Sequence, residues 1–186
     1  FKIRTPSEAN NKKVNIINCT EDVVTVQEGI QTKESGKWAI DFLKRAVDDL
    51  KNKQIDALVT APINKMSVQS NEFNFPGHTE YLLKTFEAEN GIMILTGEEI
   101  RVASVTGHVA LSEVSEKIKR KKVISSAKAL ARSLTEDFGV LRPRIAVLGL
   151  NPHAGEEGML GEEEKNEIIP AITELKNSKI LAFGPY

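Results

Sequence analysis

Three histidines, His78, His108 and His153, are the residues of this 186-residue chain best suited to chemistry. Each lies at the end of a β-rich run or in a glycine-containing loop. His78 stands in Phe75-Pro76-Gly77-His78-Thr79-Glu80, His108 in Val105-Thr106-Gly107-His108-Val109, and His153 in Gly149-Leu150-Asn151-Pro152-His153-Ala154-Gly155-Glu156. A neutral imidazole ligates divalent cations and a protonated one meets anions. In open α/β sheets ligands collect at the carboxyl ends of strands. His108 and His153 both follow such ends, so two distant imidazoles could point into one crevice. Two imidazoles fall one short of the three protein ligands usual at a catalytic zinc. No His-Glu-x-x-His and no Cys pair adds a local metal motif. By spacing alone, a surface or hydrogen-bonding role for each histidine stays open beside the metal reading.

Gly77-His78-Thr79-Glu80 suits an anion. If Thr79 caps the helix that follows, its hydroxyl and the first backbone N–H groups face an incoming phosphate, and His78 adds a donor. An ordinary threonine cap after a glycine turn is the competing reading. Lys65, after Thr60-Ala61-Pro62-Ile63-Asn64, is a compact cation able to meet a phosphate or carboxylate; a solvated loop lysine is its alternative. Asn151, two residues before His153, completes the candidates. No further catalytic residue is assigned. Other features read as structural: Lys117, Lys119, Arg120, Lys121 and Lys122 as a solvated face, and Glu162-Glu163-Glu164 as acids at the positive end of a helix. Trp38 reads as packing and Cys19 as a small buried hydrophobe.

The elements that must hold these loops follow from periodicity. Val14–Cys19 and Val23–Gln27 are β-rich. From Lys33 to Asn52, Ala39, Phe42, Leu43, Ala46, Val47 and Leu50 recur at helical spacing. Ile55–Thr60 reads as a buried strand and Thr79–Phe86 as a helix. Ile92–Thr96 and Ile100–Thr106 flank Gly97-Glu98-Glu99 as a hairpin. Val114–Phe138 reads as one long amphipathic helix closed at Gly139. Ile145–Leu150 reads as a buried strand, 151–161 as a loop, and Glu162–Leu175 as a last helix. Strands alternating with helices predict an α/β fold with a mixed, largely parallel sheet flanked by helices on both faces. No internal boundary is placed.

Composition narrows the function. Lys plus Arg number 25 against 26 Asp plus Glu, a net charge of −1, without the basic excess of a nucleic-acid binder. No apolar run approaches the roughly 20 residues of a membrane span, and no leader pattern opens the chain. A cytoplasmic protein is expected. One cysteine permits no internal disulfide. The opening Phe1 and the closing Gly184-Pro185-Tyr186 read as cuts, so the chain is expected to be the central part of something longer.

At these same loops the sequence resembles the 4-hydroxythreonine-4-phosphate dehydrogenase family of pyridoxal phosphate biosynthesis. The matching stretches are Asp56–Lys65 (DALVTAPINK), Gly77-His78-Thr79-Glu80, Arg101-Val102-Ala103 leading to Thr106-Gly107-His108, and Arg144–Glu156 (RIAVLGLNPHAGE). Gly161-Glu162-Glu163-Glu164 and Ile168-Ile169-Pro170 follow in order. The resemblance implies an isocitrate/isopropylmalate dehydrogenase-like fold. It implies that His108 and His153 are two of three histidines binding a divalent metal (Zn, Mg or Co), and that His78 and Thr79 bind substrate. The third metal histidine and much of the dinucleotide site belong to a later segment of the family, so the 186 residues alone are expected to be inactive. It further implies a homodimer sharing its active sites, NAD or NADP as cofactor, and oxidation of 4-phosphohydroxy-threonine to a 2-amino-3-oxo acid phosphate that decarboxylates. Gly107 stands where Thr is more usual, and Glu157 and Met159 stand where relatives commonly carry Gly and His. Related readings are a dehydrogenase of another phosphorylated four-carbon hydroxy acid such as phosphothreonate, a non-catalytic phosphate-binding or assembly module, and a phosphate-transferring enzyme.

Overall fold

Thr32 starts the first helix because its hydroxyl takes an N–H that no helical carbonyl reaches. Ser35 N donates to Thr32 Oγ1 at 3.0 Å and Thr32 N donates to Ser35 Oγ at 3.3 Å, a reciprocal capping box. The helix, α1 (Lys33–Lys51), runs close to the expected span. Its buried stripe is Gly36, Ile40, Leu43 and Val47. Phe42, expected on that face, is exposed, because it lies one residue and thus about 100° around from Leu43.

The computed structural model describes residues 1–186 except 21–24, 26, 71 and 89–90. The described residues form two units, Phe1–Glu87 and Ala88–Tyr186. In the first, β1 (Lys2–Ile3) pairs in parallel with β2 (Ile16–Ile17), Lys2 opposite Ile16 and Ile3 opposite Ile17. β2 falls inside the expected 14–19 run, whereas β1 carried no local signal. The expected strand Val23–Gln27 lies mostly outside the described residues. Its neighbour Cys19 is half-buried rather than buried.

The second helix, α2 (His78–Thr85), packs with α1 on a core of Ile40, Leu43, Val47, Val68 and Phe73, joined by Ile63, Phe75, Tyr81 and Leu82. Ile55–Thr60, expected to be a buried strand, is irregular, and Val59 is 96% exposed. Its apolar residues satisfy the strand pattern, but among the described residues no ladder partner lies beside them, and a strand exists only through its partner's hydrogen bonds.

In the second unit β3 (Met93–Thr96) and β4 (Arg101–Ser104) form the expected antiparallel hairpin, Met93 opposite Ser104 and Thr96 opposite Arg101, with Gly97 N donating to Ile100 O at 2.8 Å. Ile94 faces a core of Leu130, Leu134 and Ile145. Met93 and Leu95, on the opposite face by strand alternation, are exposed.

The expected long helix is two: α3 (Val114–Lys117) and α4 (Arg120–Glu136). Ile118 breaks it with φ −77° and ψ 94°, and is itself buried. Glu167 then caps the new helix, accepting from Arg120 N at 2.6 Å. Lys119 also pairs with Glu167 and Arg120 with Glu174, so part of the basic run expected to be a solvated face is tied to the following acidic helix. At the other end Gly139, at φ 68°, lets Val140 N reach Leu134 O at 2.8 Å.

β5 (Arg144–Ala146) pairs in parallel with β6 (Leu181–Phe183), a strand the sequence reading missed. The regular ladder stops short of the expected Leu150, and Leu148 is exposed. Irregular pairing carries on: Val147 N donates to Phe183 O and Gly149 N to Tyr186 O, each at 2.8 Å. A π-turn over Glu164–Ile168 leads into α5 (Ile169–Asn177), whose Ala171, Ile172 and Leu175 pack with α4's Val123, Ile124 and Ala127.

The architecture is therefore mixed α/β, with two parallel ladders and one antiparallel among the described residues. These are small two-stranded sheets rather than the single sheet expected. No described helix is long and apolar enough to cross a membrane.

Candidate functional site

His78 and Thr79 are the first two residues of α2, and Gly77 rather than Thr79 caps it, with no side-chain cap hydrogen bond. The expected threonine cap is thus displaced by two residues. Gly77 is extended, and Glu80 folds back beside it: a Cβ on Gly77 would meet Glu80 Oε2 at an ordinary contact distance of 3.6 Å. The first intrahelical hydrogen bond runs from Tyr81 N to Gly77 O at 3.4 Å, so the N–H groups of His78 and Thr79 precede the helical ladder. His78 is half-buried and Thr79 exposed.

The helix start is held by aromatic packing. Tyr81 of α2 lies 5.2 Å from the Phe73 ring and 5.4 Å from the Phe75 ring, and the two phenylalanines are 5.3 Å apart. Phe73 is fully buried. Lys65 is exposed on the turn after Asn64, whose Oδ1 accepts from Met66 N and Ser67 N. Ile63, two residues before Lys65, packs on the same core as Tyr81 and Leu82.

His108 and His153 belong to the second unit. Val105, three residues before His108, and Leu150, three before His153, pack on one core cluster of α4, α5 and β6. Both histidines are exposed and both hold φ 51°. Gly107, which stands where Thr is more usual, has no positive φ and open space where a Cβ would stand, so the unusual conformation falls on His108 itself.

His153 begins a left-handed run. His153, Ala154, Gly155, Glu156 and Glu157 have φ of 51°, 51°, 82°, 44° and 54°. An L-residue held this way costs roughly 1–2 kcal/mol, so the run needs a strong hold. Glu164 supplies it. The residue is 2% exposed, the one buried charged residue among those described. Oε1 accepts from Leu150 N at 2.6 Å and Asn151 N at 2.8 Å, and Oε2 accepts from Asn151 Nδ2 at 2.9 Å. Hydrogen bonds to a charged group are worth about 1.5–3 kcal/mol each, enough to offset the backbone strain.

Asn151 Nδ2 also donates to Glu163 Oε2 at 2.8 Å, and Ser115 Oγ donates to Glu163 Oε1 at 2.5 Å. Burial pushes the Glu164 carboxyl up, but the backbone and side-chain donors of Asn151, with the N–H groups of Glu164 and Leu150, outweigh it. The group is held below the usual carboxylate range. Glu163 is lowered as well, chiefly by the Ser115 hydroxyl and then by Asn151. Glu164 was read from sequence only as an acid at a helix start. The signal that could have found it is an Asn and a Glu bracketing a glycine-rich loop.

The structure thus places His78 beside Thr79 in one unit, and Asn151 at the root of the His153 loop in the other. Among the described residues no three His, Cys, Asp or Glu side chains are arranged to hold a metal ion. The two exposed imidazoles of the second unit are donors of the type a zinc-class ion takes, and two are part of such a ligand set. An apolar cleft of about 550 Å³ opens between β4, α4 and β5, but neither histidine lines it.

Comparison with known proteins gives this geometry a context. Residues 2–186 match the family model described as pyridoxal phosphate biosynthetic protein PdxA. The chain is 43% identical over 185 residues to 4-hydroxythreonine-4-phosphate dehydrogenase of Bacteroides thetaiotaomicron, covering 99% of this chain and 51% of that protein. It is 36% identical over 184 residues to the enzyme of the same name from Sulfurihydrogenibium sp., covering 99% and 56%. The crystal structure of 4-hydroxythreonine-4-phosphate dehydrogenase from Klebsiella pneumoniae superposes with a TM-score of 0.89 at 29% identity, over 100% of this chain and 56% of that one. The chain spans about half the length of the relatives it matches. A match running through every candidate residue, from Lys65 to His153, carries the conclusion that this chain belongs to the PdxA family of pyridoxal phosphate biosynthetic proteins.

Proposed function

We propose that the protein is a metal-dependent, NAD(P)-linked dehydrogenase that oxidises 4-phosphohydroxy-threonine in vitamin B6 biosynthesis. The observation that supports this most is the family match over residues 2–186, together with two exposed histidines that each follow, by three residues, a side chain packed on one core. In this reading the short ladders belong to a larger, mostly parallel sheet with helices on both faces. The working form is a cytoplasmic homodimer with shared active sites.

His108 and His153 would hold the divalent ion, with a third ligand from elsewhere in the assembly. Imidazole donors suit zinc or cobalt better than magnesium. Such an ion would supply Lewis acidity that lowers the pKa of the substrate alcohol, and NAD(P)+ would supply the hydride acceptor. The chain's own residues position the substrate. The N–H groups of His78 and Thr79, the Thr79 hydroxyl and the His78 imidazole offer donors to a phosphate, and Lys65 adds a cation. Anchoring the phosphate orients the carbinol for reaction. The substrate loses a hydride from carbon and a proton from oxygen, giving the 3-oxo acid, which sheds carbon dioxide.

The test is an assay of the protein with its relatives' remaining segments present, beside the 186 residues alone. NAD+ and NADP+ are supplied with 4-phosphohydroxy-threonine or phosphothreonate. Reduction of cofactor by the longer form with 4-phosphohydroxy-threonine is expected, with none by the 186 residues. Turnover of phosphothreonate alone would reassign the substrate, and no turnover of either would remove the enzyme reading.

A further inference from the structure

We propose, on the footing that His153 holds the divalent ion, that Glu164 is the positioning residue for its imidazole, acting through Asn151 and the left-handed backbone run. Among the described residues no hydrogen bond holds the His153 ring itself. Its aim is therefore set by its backbone. Glu164 grips that backbone from both sides. Ahead of the ring it takes the N–H groups of Leu150 and Asn151 and the Asn151 amide. Behind it, Gly155 comes so close that a Cβ there would lie 2.9 Å from Glu164 Oε2.

Glu164 is anchored in turn. It opens the π-turn that runs into α5, where Ile168, Ala171, Ile172 and Leu175 are buried in the core. Among the described residues the carboxylate has no cationic partner; it accepts from N–H donors, those of Leu150 and Asn151. A buried charge is a costly way to fill space, and a neutral side chain would fill it more cheaply. What only a carboxylate supplies here is acceptors on both oxygens. Glutamine would present an N–H to Asn151 Nδ2 and set donor against donor.

The test compares Glu164→Gln and Glu164→Leu with wild type, taking Glu162→Gln as a control that removes an exposed charge from the same helix start. The first readout is metal-free: NMR of the His153 ring, with amide exchange at Leu150 and Asn151. Both Glu164 variants are expected to lose protection at the two amides and to move the ring resonances, while α4 amides stay protected. The second readout is Co2+ affinity by visible absorption, expected to fall about 10-fold or more in Glu164→Leu and to hold in Glu162→Gln. Unchanged ring resonances in Glu164→Gln would overturn the proposal, as would wild-type Co2+ affinity in a folded Glu164→Leu. If wild type binds no Co2+, the metal role of His153 fails on its own, and the ring resonances still decide the positioning role.

Discussion

Gly36 of α1 stands against the backbone carbonyl of Ser67 so closely that no Cβ fits between them. The contact joins α1 to the turn that carries Lys65, and it explains a glycine inside a helix, where that residue ordinarily costs about 1 kcal/mol relative to alanine. Gly36→Ala should therefore lower stability by about 1–3 kcal/mol through overpacking, the opposite of the helix-propensity effect. Urea unfolding decides the sign, and a stabilised variant would refute the close approach.

Phe73 is the keystone under α2. Removing its ring empties a fully buried site shared with Phe75 and Tyr81. Phe73→Ala should cost about 3–5 kcal/mol and weaken binding of inorganic phosphate at His78 and Thr79. Thermal unfolding and a phosphate titration monitored at His78 by NMR test the two effects separately.

The lowered carboxyls of Glu163 and Glu164 give a signed pH dependence. An unfolded glutamate, with a pKa of about 4.3, binds its proton at higher pH than either folded group. The stabilisation is present above that value and is lost as pH falls through the lower folded values. Urea midpoints measured from about pH 6 downward past this range should show that decline. Glu164→Gln should be less stable at neutral pH and decline less steeply in acid.

Gly155 sits at φ 82° with Gly161 O 2.7 Å and Glu164 Oε2 2.9 Å from where a Cβ would be. Gly155→Ala should cost about 1–3 kcal/mol and weaken Co2+ binding with the His153 ring chemistry untouched. Equal Co2+ affinity in a folded variant would separate the loop's geometry from ligation.

Much of the chain is legible locally. Apolar spacing marks α1 and α4, and Gly97-Glu98-Glu99 between β-rich runs marks the hairpin. The order of the histidine-bearing motifs marks the family. These signals are contained in short windows, where periodicity and turn chemistry act.

What local windows cannot carry is partnership. Ile55–Thr60 has strand-like residues yet forms no strand, and Leu181–Phe183 becomes one because Arg144–Ala146 lies beside it. Ile118 breaks a continuous helical pattern because it is buried in the core and Glu167 caps the next helix. Glu164 looks like any acid at a helix start until the fold buries it beneath Asn151 and bends His153 into the left-handed region. Residue type and spacing singled out the candidate groups. Only the tertiary structure decided what holds them, because burial and hydrogen-bond pairing arise from residues far apart along the chain.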